Sequence, residues 1–195
     1  MKKLITAIAL TASIGFASAA QSDTLAQILL SDGDMFDSDQ TDFDIVTQAI
    51  LACSDDLVAG ASNPEASLTA FLPTDKAFRI LVSDVFGTSI KDEAALFGAI
   101  AGTFDCGTIE TILKYHVVPG TYYASDVLGV ADGTPLTTLS LLDITVDFKG
   151  KGQIRLVDNE PMLRDPIIRA TDIMADNGVA HVIDRVLLPI AVIEE

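Results

Sequence analysis

An aspartate-rich segment at residues 31–44 holds the side chains of this chain that could most directly bind a metal ion. Hard cations such as Ca²⁺ bind carboxylate oxygens, and the segment carries six of these side chains: Asp32, Asp34, Asp37, Asp39, Asp42 and Asp44. The EF-hand spacing fails, because the sixth position counted from Asp32 or from Asp37 is an aspartate instead of the required glycine. We therefore predict a solvated acidic loop and no metal site.

The chain has two histidines, His116 and His181, and this limits the catalysis that it could perform. A Ser-His-acid triad would need one of them, and no serine lies in a G-x-S-x-G sequence. Neither a Walker loop nor a G-x-G-x-x-G sequence occurs. A hydrolase built on two carboxylates is the remaining enzymatic alternative, but abundant acids do not by themselves indicate a site. We predict a non-enzymatic protein without a cofactor, in which His181 is an internal hydrogen-bonding group.

Residues 1–19 have the three parts of a secretory signal peptide. A Lys-Lys pair precedes a mostly apolar run at 4–16, and small residues follow it. The run is shorter than the roughly 20 apolar residues of a membrane-spanning helix. We expect cleavage after Ala19 or Ala20, and a soluble periplasmic or extracellular protein that does not insert into a membrane.

The charge of the chain excludes nucleic acid as a partner. The sequence holds 12 Lys and Arg against 28 Asp and Glu, a formal net charge of −16. A field of that sign repels phosphate backbones and anionic lipid headgroups. Residues 20–195 show no repeat, low-complexity tract or Pro-rich linker, and their number suits a single domain.

The two cysteines, Cys53 and Cys106, predict a disulfide, since an exported protein with an even cysteine count is usually bridged. The bridge would close a loop of about 54 residues, for which the chain-entropy model gives roughly 4 kcal/mol. The absence of C-x-x-C spacing and of a histidine cluster disfavours a redox or zinc site. Two free buried thiols are the alternative.

Helical and strand patterns are segregated along the chain. Apolar spacing and capping residues predict helices first, at 24–31, after Asp42, near Thr74–Phe86, after Ser89 and from Thr108. Apolar alternation then predicts strands, over Leu142–Phe148, around Ile154 and Leu156, and in a hairpin around Asn177-Gly178. Helices gathered early and strands gathered late predict an α+β fold instead of a parallel α/β sheet.

Three segments resemble the fasciclin (FAS1) domain when taken together and in order. They are LTAFLPTDKAF at 68–78, ILKYHVVPG at 112–120 and IIRATDIMADNGVAHVIDRVLLP at 167–189. The resemblance covers about 24–189, nearly all of the chain after the signal peptide. It implies the FAS1 fold, in which two β-sheets form a wedge beside a group of helices. It also implies a domain that binds partners instead of transforming substrates.

The resemblance further suggests two pairs of binding residues. Tyr115 and His116 match the family's central Tyr-His pair, which is implicated in integrin binding in animal members. Asp172 and Ile173, followed by Met174, match the end of a Glu-Pro-Asp-Ile-Met motif with the same association.

Both pairs also have structural interpretations, which we prefer. Tyr115 and His116 stand at a helix-to-strand junction, where backbone groups need partners that these side chains can supply. Ile173 and Met174 are expected on the core face of the hairpin. In addition, Ala170 and Thr171 replace the Glu-Pro of the motif, so the stiffening effect of proline is absent.

We therefore predict a single secreted FAS1 domain that acts as a non-enzymatic adhesion or interaction module. Its partner would be a protein or polysaccharide of the cell envelope or matrix. The alternative is a periplasmic or extracellular protein that binds a small ligand or a polysaccharide, which requires a concave pocket with convergent polar groups.

Overall fold

The computed structural model describes residues 23–31, 35–129, 131–149 and 152–192. The predicted signal peptide lies outside these described residues, as do Asp32 and Asp34 of the acidic segment. The helices within them are α1 (Leu25–Leu29), α2 (Asp44–Cys53), α3 (Asp55–Ser62), α4 (Asp75–Phe86), α5 (Glu93–Thr103), α6 (Cys106–Tyr115) and α7 (Ala124–Gly129).

The strands form two sheets, which confirms the α+β prediction. A four-stranded sheet has the order β2-β1-β7-β6, and a three-stranded antiparallel sheet has the order β3-β4-β5. The strands are β1 (Leu68–Pro73), β2 (Val117–Pro119), β3 (Thr134–Thr137), β4 (Asp143–Lys149), β5 (Gln153–Val157), β6 (Ile168–Ala175) and β7 (Gly178–Ile183).

The four-stranded sheet contains one parallel pair, which sequence periodicity did not predict. β1 runs antiparallel to β2 and parallel to β7, in a register that pairs Leu68 with Gly178 and Pro73 with Ile183. Helices cover one face of β1 and the second sheet covers the other, so side chains on both of its faces are buried. Ala70 and Leu72 contact the helices, whereas Phe71 between them faces the second sheet.

Within the part of the chain that the structure describes, two apolar clusters make up the core. The larger cluster lies between α1–α6 and one face of the four-stranded sheet. The smaller one fills the wedge between the two sheets and includes Ile144, Val146, Ile154 and Leu156, as the alternating pattern predicted. Leu142 departs from that pattern, because β4 begins one residue later and Leu142 is 38 % exposed.

The β6–β7 hairpin exists, but its turn consists of Asp176 and Asn177 instead of Asn177 and Gly178, since Ala175 already pairs with Gly178. Gly178 has φ 151°, and a Cβ there would lie 1.9 Å from the carbonyl oxygen of Leu68. A glycine is therefore needed at position 178 for β7 to approach β1 this closely.

Helix starts only partly follow the sequence signals. Thr24 forms a capping box with Gln27 at α1. At α2, Asp42 does not cap the helix; the carboxylate of Asp75 instead accepts a hydrogen bond from the backbone N–H of Ile45 at 3.0 Å. The cap of α5 is Asp92 and not the predicted Ser89, because the Asp92 carboxylate accepts from the backbone of Ala95.

A disulfide joins Cys53, the last residue of α2, to Cys106, the first of α6, across a Cα–Cα distance of 5.0 Å.

Among the described residues, no single helix is long and apolar enough to cross a membrane. Helices α5 and α6 have the length and apolar composition of a membrane-spanning segment only when they are taken together, and the chain bends by 109° between them.

Candidate functional site

Tyr115 is the last residue of α6 and is completely buried, at 0 % exposure. Its ring packs in the core between the two sheets. Its hydroxyl donates a 2.8 Å hydrogen bond to the backbone carbonyl of Asp143 at the start of β4. Burial raises the pKa of Tyr115, so the hydroxyl stays protonated. The side chain thereby links α6 to the three-stranded sheet.

His116 follows directly and is 4 % exposed. Its Nε2 lies 2.9 Å from the backbone N of Leu187, and its Nδ1 lies 2.7 Å from the carbonyl oxygen of Ile112. The Leu187 N–H must donate, so Nε2 accepts and the proton sits on Nδ1. Burial lowers the pKa of His116 to about 4. The ring is therefore neutral at physiological pH.

His181, in β7, is also fully buried and takes the other tautomer. Its Nδ1 accepts from the backbone N–H of Asp172 at 3.3 Å, and its Nε2 then donates to the carbonyl oxygen of Tyr122 at 2.9 Å. The ring stacks on Phe71 with centroids 5.7 Å apart. These contacts match the predicted internal hydrogen-bonding role.

The segment around Asp172 bulges out of β6. The pairing with β7 shifts register between Ala170 and Ile173, and Asp172 has a positive φ of 60°. Its exposed carboxylate accepts a 2.8 Å hydrogen bond from the backbone N–H of Ala124 at the start of α7. Ile173 packs against the larger core. Met174 is 68 % exposed, so the expectation that it shares the core face was wrong, since neighbouring strand residues point to opposite faces.

The structure does not bring the two predicted pairs together. Tyr115 and His116 precede β2 at one edge of the four-stranded sheet, whereas Asp172 and Ile173 lie in β6 at the other edge. Asp172 alone among the four is exposed. The two pairs therefore cannot form one continuous contact surface.

The outer side of β6 is a candidate contact surface. Among the described strands, β6 pairs only with β7, apart from an isolated bridge just before it at Ile167. We call its exposed side chains the β6 surface: Arg169, Ala170, Thr171, Asp172 and Met174. An edge strand with free backbone groups and exposed side chains is a template on which another chain can be added.

A second candidate site is an apolar cavity of about 260 Å³ between α1–α3, α6 and the first strands of the sheet. The residues that line it are almost all apolar, and they include Leu29, Ile50, Leu57, Ala70 and Leu113. On one side it is bordered by Asp56 and Ala61 of α3, which are exposed and half-buried respectively. A cavity with this lining suits an apolar molecule.

A third candidate is a cluster of carboxylates that sequence spacing did not reveal. Asp42, Asp75 and Glu93 each place a carboxylate oxygen within 4.8 Å of the other two. Asp75 and Glu93 are the first residues of α4 and α5, so an acid in the first turn of each helix is the only sequence signal they give. The fold, and not proximity in sequence, brings them to the acidic segment.

Asn177, at the β6–β7 turn, is another residue whose importance the sequence did not show. It is 1 % exposed and its side chain oxygen accepts from the backbone N–H of Leu25 at 2.9 Å. Its Nδ2 donates to the carbonyl oxygens of Ala61 and Asn63, at 2.8 and 3.0 Å. One buried amide thus joins the final hairpin to α1 and to the end of α3.

Comparisons with known proteins agree with this architecture. The model of the fasciclin domain family matches residues 44–189. Protein sll1483 of the cyanobacterium Synechocystis is 31 % identical over 134 residues, which are 69 % of this chain and 61 % of that protein. Human periostin is 26 % identical over 121 residues, which are 62 % of this chain but 12 % of periostin.

A solved structure gives the same result for the fold. A pair of FAS1 domains from the insect cell adhesion molecule fasciclin I superposes with a TM-score of 0.61 at 20 % sequence identity, covering 86 % of this chain and 51 % of that chain. The chain spans less than two thirds of each relative named here. The match of the family model extends over most of the sequence, from the start of α2 to the residues after β7. This chain belongs to the fasciclin domain family.

Proposed function

We propose that this protein is a non-enzymatic interaction module outside the cytoplasm, and that it binds a protein or polysaccharide of the cell envelope or matrix through the β6 surface. The observation that carries the proposal is the exposed edge strand, whose bulge at Asp172 presents its side chain outward. Membership in a family that includes an insect cell adhesion molecule supports it.

The geometry distinguishes the residues that would contact a partner. Asp172 and Met174 are exposed on β6 and are accessible without any change of fold. Tyr115 and His116 are buried and bonded to the chain's own backbone. We therefore assign recognition to Asp172 and Met174, and a structural role to Tyr115 and His116.

The test compares two matched variants in a quantitative pulldown from envelope extract, with the purified, processed protein as bait. Met174→Glu places a charge on the β6 surface, whereas Met162→Glu places the same charge at another exposed methionine, which is 54 % exposed. We expect partners retained by wild type and by Met162→Glu to be lost with Met174→Glu. Equal retention by all three proteins would contradict the proposal.

A second candidate function is the binding of a small apolar molecule in the 260 Å³ cavity. Its volume approaches the roughly 300–1,000 Å³ of ordinary ligand pockets. Few polar groups face it: both nitrogens of His116 already have backbone partners, and Asp56 lies at its exposed border. The expected ligand is therefore a compact hydrocarbon or aromatic compound without a strongly charged centre.

Titration with the apolar fluorophore N-phenyl-1-naphthylamine tests this candidate. Ala61→Phe would fill the cavity from its border, while Ala59→Phe adds the same ring to an exposed position of α3 that does not line the cavity. Saturable binding that is lost only in Ala61→Phe supports the ligand site. Binding that both variants retain, or no saturable binding by wild type, opposes it.

The location of the protein is also a proposal. The predicted signal peptide and the disulfide are both suited to export from the cytoplasm. N-terminal sequencing of protein recovered from the periplasm or medium should begin at Ala20 or Gln21. Recovery of an intact Met1 in the membrane fraction would instead show that residues 1–19 act as an anchor.

A further inference from the structure

We propose that Asp42, Asp75 and Glu93 form a binding site for a divalent cation, and that Ca²⁺ is the ion whose chemistry fits it. The three side chains come from the acidic segment, from the start of α4 and from the start of α5. Their nearest ligand oxygens lie within 4.8 Å of one another, so one ion could contact all three.

Two buried oxygens in this cluster face no hydrogen-bond donor among the described residues when both carboxyl groups are ionised. They are Oδ1 of Asp42 and Oδ2 of Asp75. Asp75 is 0 % exposed, and its other oxygen accepts from the backbone N–H of Ile45. Leaving an ionised oxygen buried without a donor is costly. A bound cation would satisfy both oxygens at once, and the competing solution is a proton shared between the two carboxyl groups.

The charge around the site favours a cation. Asp42 also belongs to a second group, with Asp37 and Asp44, whose oxygens lie within the same 4.8 Å limit. Among the described residues, the Arg79 guanidinium contacts these carboxylates through Glu93, at 2.8 Å. Burial is the largest cause that raises the pKa of both Asp42 and Asp75, and a side-chain hydrogen bond between the two carboxyl groups links them.

The ligand set is that of a hard cation. All of its atoms are carboxylate oxygens, whereas structural zinc sites are built on cysteine sulfur and histidine nitrogen. Ca²⁺ accepts six to eight oxygens in irregular geometry, while Mg²⁺ requires a near-ideal octahedron. Both Glu93 oxygens already accept hydrogen bonds, from Arg79 and from the backbone of Asp37, so water would complete the shell.

The site should bind weakly. Asp37 is exposed and Asp42 is half-buried, whereas Asp75 is buried, so an ion would enter from the side of the acidic segment. With few protein ligands, the dissociation constant should fall near that of extracellular calcium modules, roughly 10⁻⁴–10⁻³ M. Bound calcium would then hold the acidic segment against the first residues of α4 and α5.

The test uses the processed chain after treatment with EDTA, with thermal unfolding and calorimetric titration of CaCl₂ at pH 7.5. We expect 10 mM CaCl₂ to raise the melting temperature by a few degrees, since ligands of the folded state stabilise it. Asp42→Asn and Asp75→Asn should each abolish the shift and the binding heat. Asp39→Asn should retain both, because the Asp39 side chain is exposed and its carboxylate accepts hydrogen bonds from Thr41.

The outcomes separate the possible explanations. No shift and no heat with wild type would overturn the proposal; if Asp42→Asn then also melts higher than wild type, the pair shares a proton instead. A shift that survives in both Asp42→Asn and Asp75→Asn would also overturn it, because binding would then belong to the exposed aspartates. If Asp75→Asn fails to fold, Asp42→Asn alone decides.

Discussion

The imidazole of His116 accepts a hydrogen bond from the backbone N–H of Leu187, with 2.9 Å between the two nitrogens. Its other nitrogen donates to the carbonyl oxygen of Ile112. An imidazolium ring would donate from both nitrogens and could not accept from Leu187. The contact between the end of α6 and the residues after β7 therefore depends on a neutral histidine.

Acidification should destabilise the fold through His116. Its pKa falls from 6.5 in the unfolded chain to about 4 in the folded one, so the unfolded state binds more protons between these values. The stability that the neutral His116 gives the folded state is fully present above pH 6.5 and is lost as the pH falls towards 4. Between pH 7 and pH 5 it should cost about 2 kcal/mol. Urea unfolding of wild type and His116→Asn measures it: the variant should show the smaller loss, and equal losses would contradict the prediction.

Truncation of Tyr115 or His116 should lower the melting temperature by several degrees or more. Each alanine variant leaves a cavity and removes a buried hydrogen bond, losses that are typically worth about 2–5 kcal/mol. Tyr115→Phe is the matched control, because it retains the ring and loses only the bond to Asp143, worth about 1 kcal/mol. If both alanine variants melt like wild type but lose a partner, the pair is a recognition site and our structural assignment is wrong.

Gly178→Ala should be strongly destabilising, by at least about 2 kcal/mol. The added Cβ would lie 1.9 Å from the carbonyl oxygen of Leu68, and the backbone has φ 151°. Gly98→Ala is the control, because Gly98 lies within helix α5 with nothing within 4 Å of an added Cβ. That control should be neutral or stabilising. Chemical denaturation of the two variants decides, and similar midpoints for both would contradict the prediction.

Reduction of Cys53–Cys106 should lower the free energy of unfolding by about 2–5 kcal/mol, because the bridge restricts the unfolded chain. Denaturant unfolding with and without reductant measures the loss, and a variant with both cysteines replaced by alanine should be insensitive to reductant. Without reduction, mass spectrometry should show the processed chain two hydrogens lighter than its reduced form. Labelling of both thiols in native exported protein would contradict the bridge.

Local periodicity predicted the strands that bury side chains on one face and expose them on the other. Ile144 and Val146 alternate with polar residues, and the structure buries both completely. Met174 also obeys this alternation, since Ile173 beside it faces the core, and what periodicity did not predict is the bulge between Ala170 and Ile173. A bulge leaves little trace in a single sequence, since its extra residue is recognised only when the partner strand is known.

The candidate sites were least predictable, because distant segments build them. The acidic segment suggested cation binding only as a local loop, whereas the cluster depends on Asp75 and Glu93 from two helix starts. The role of Asn177 was hidden for the same reason, since its partners lie in α1 and at the end of α3. Composition and spacing describe neighbours along the chain and not neighbours created by folding.

The parallel pairing of β1 with β7 has a consequence for the order of folding. Leu68 and Gly178 are neighbours in the sheet although most of the domain separates them in sequence. A nascent chain that has released only α1 to β5 can pair β1 with β2, but the other edge of β1 has no partner strand and Phe71 lacks the ring of His181. Contacts so distant in sequence form late and slow folding. The domain is therefore completed only when its last hairpin emerges, and a truncated product would expose the edge of β1 to aggregation.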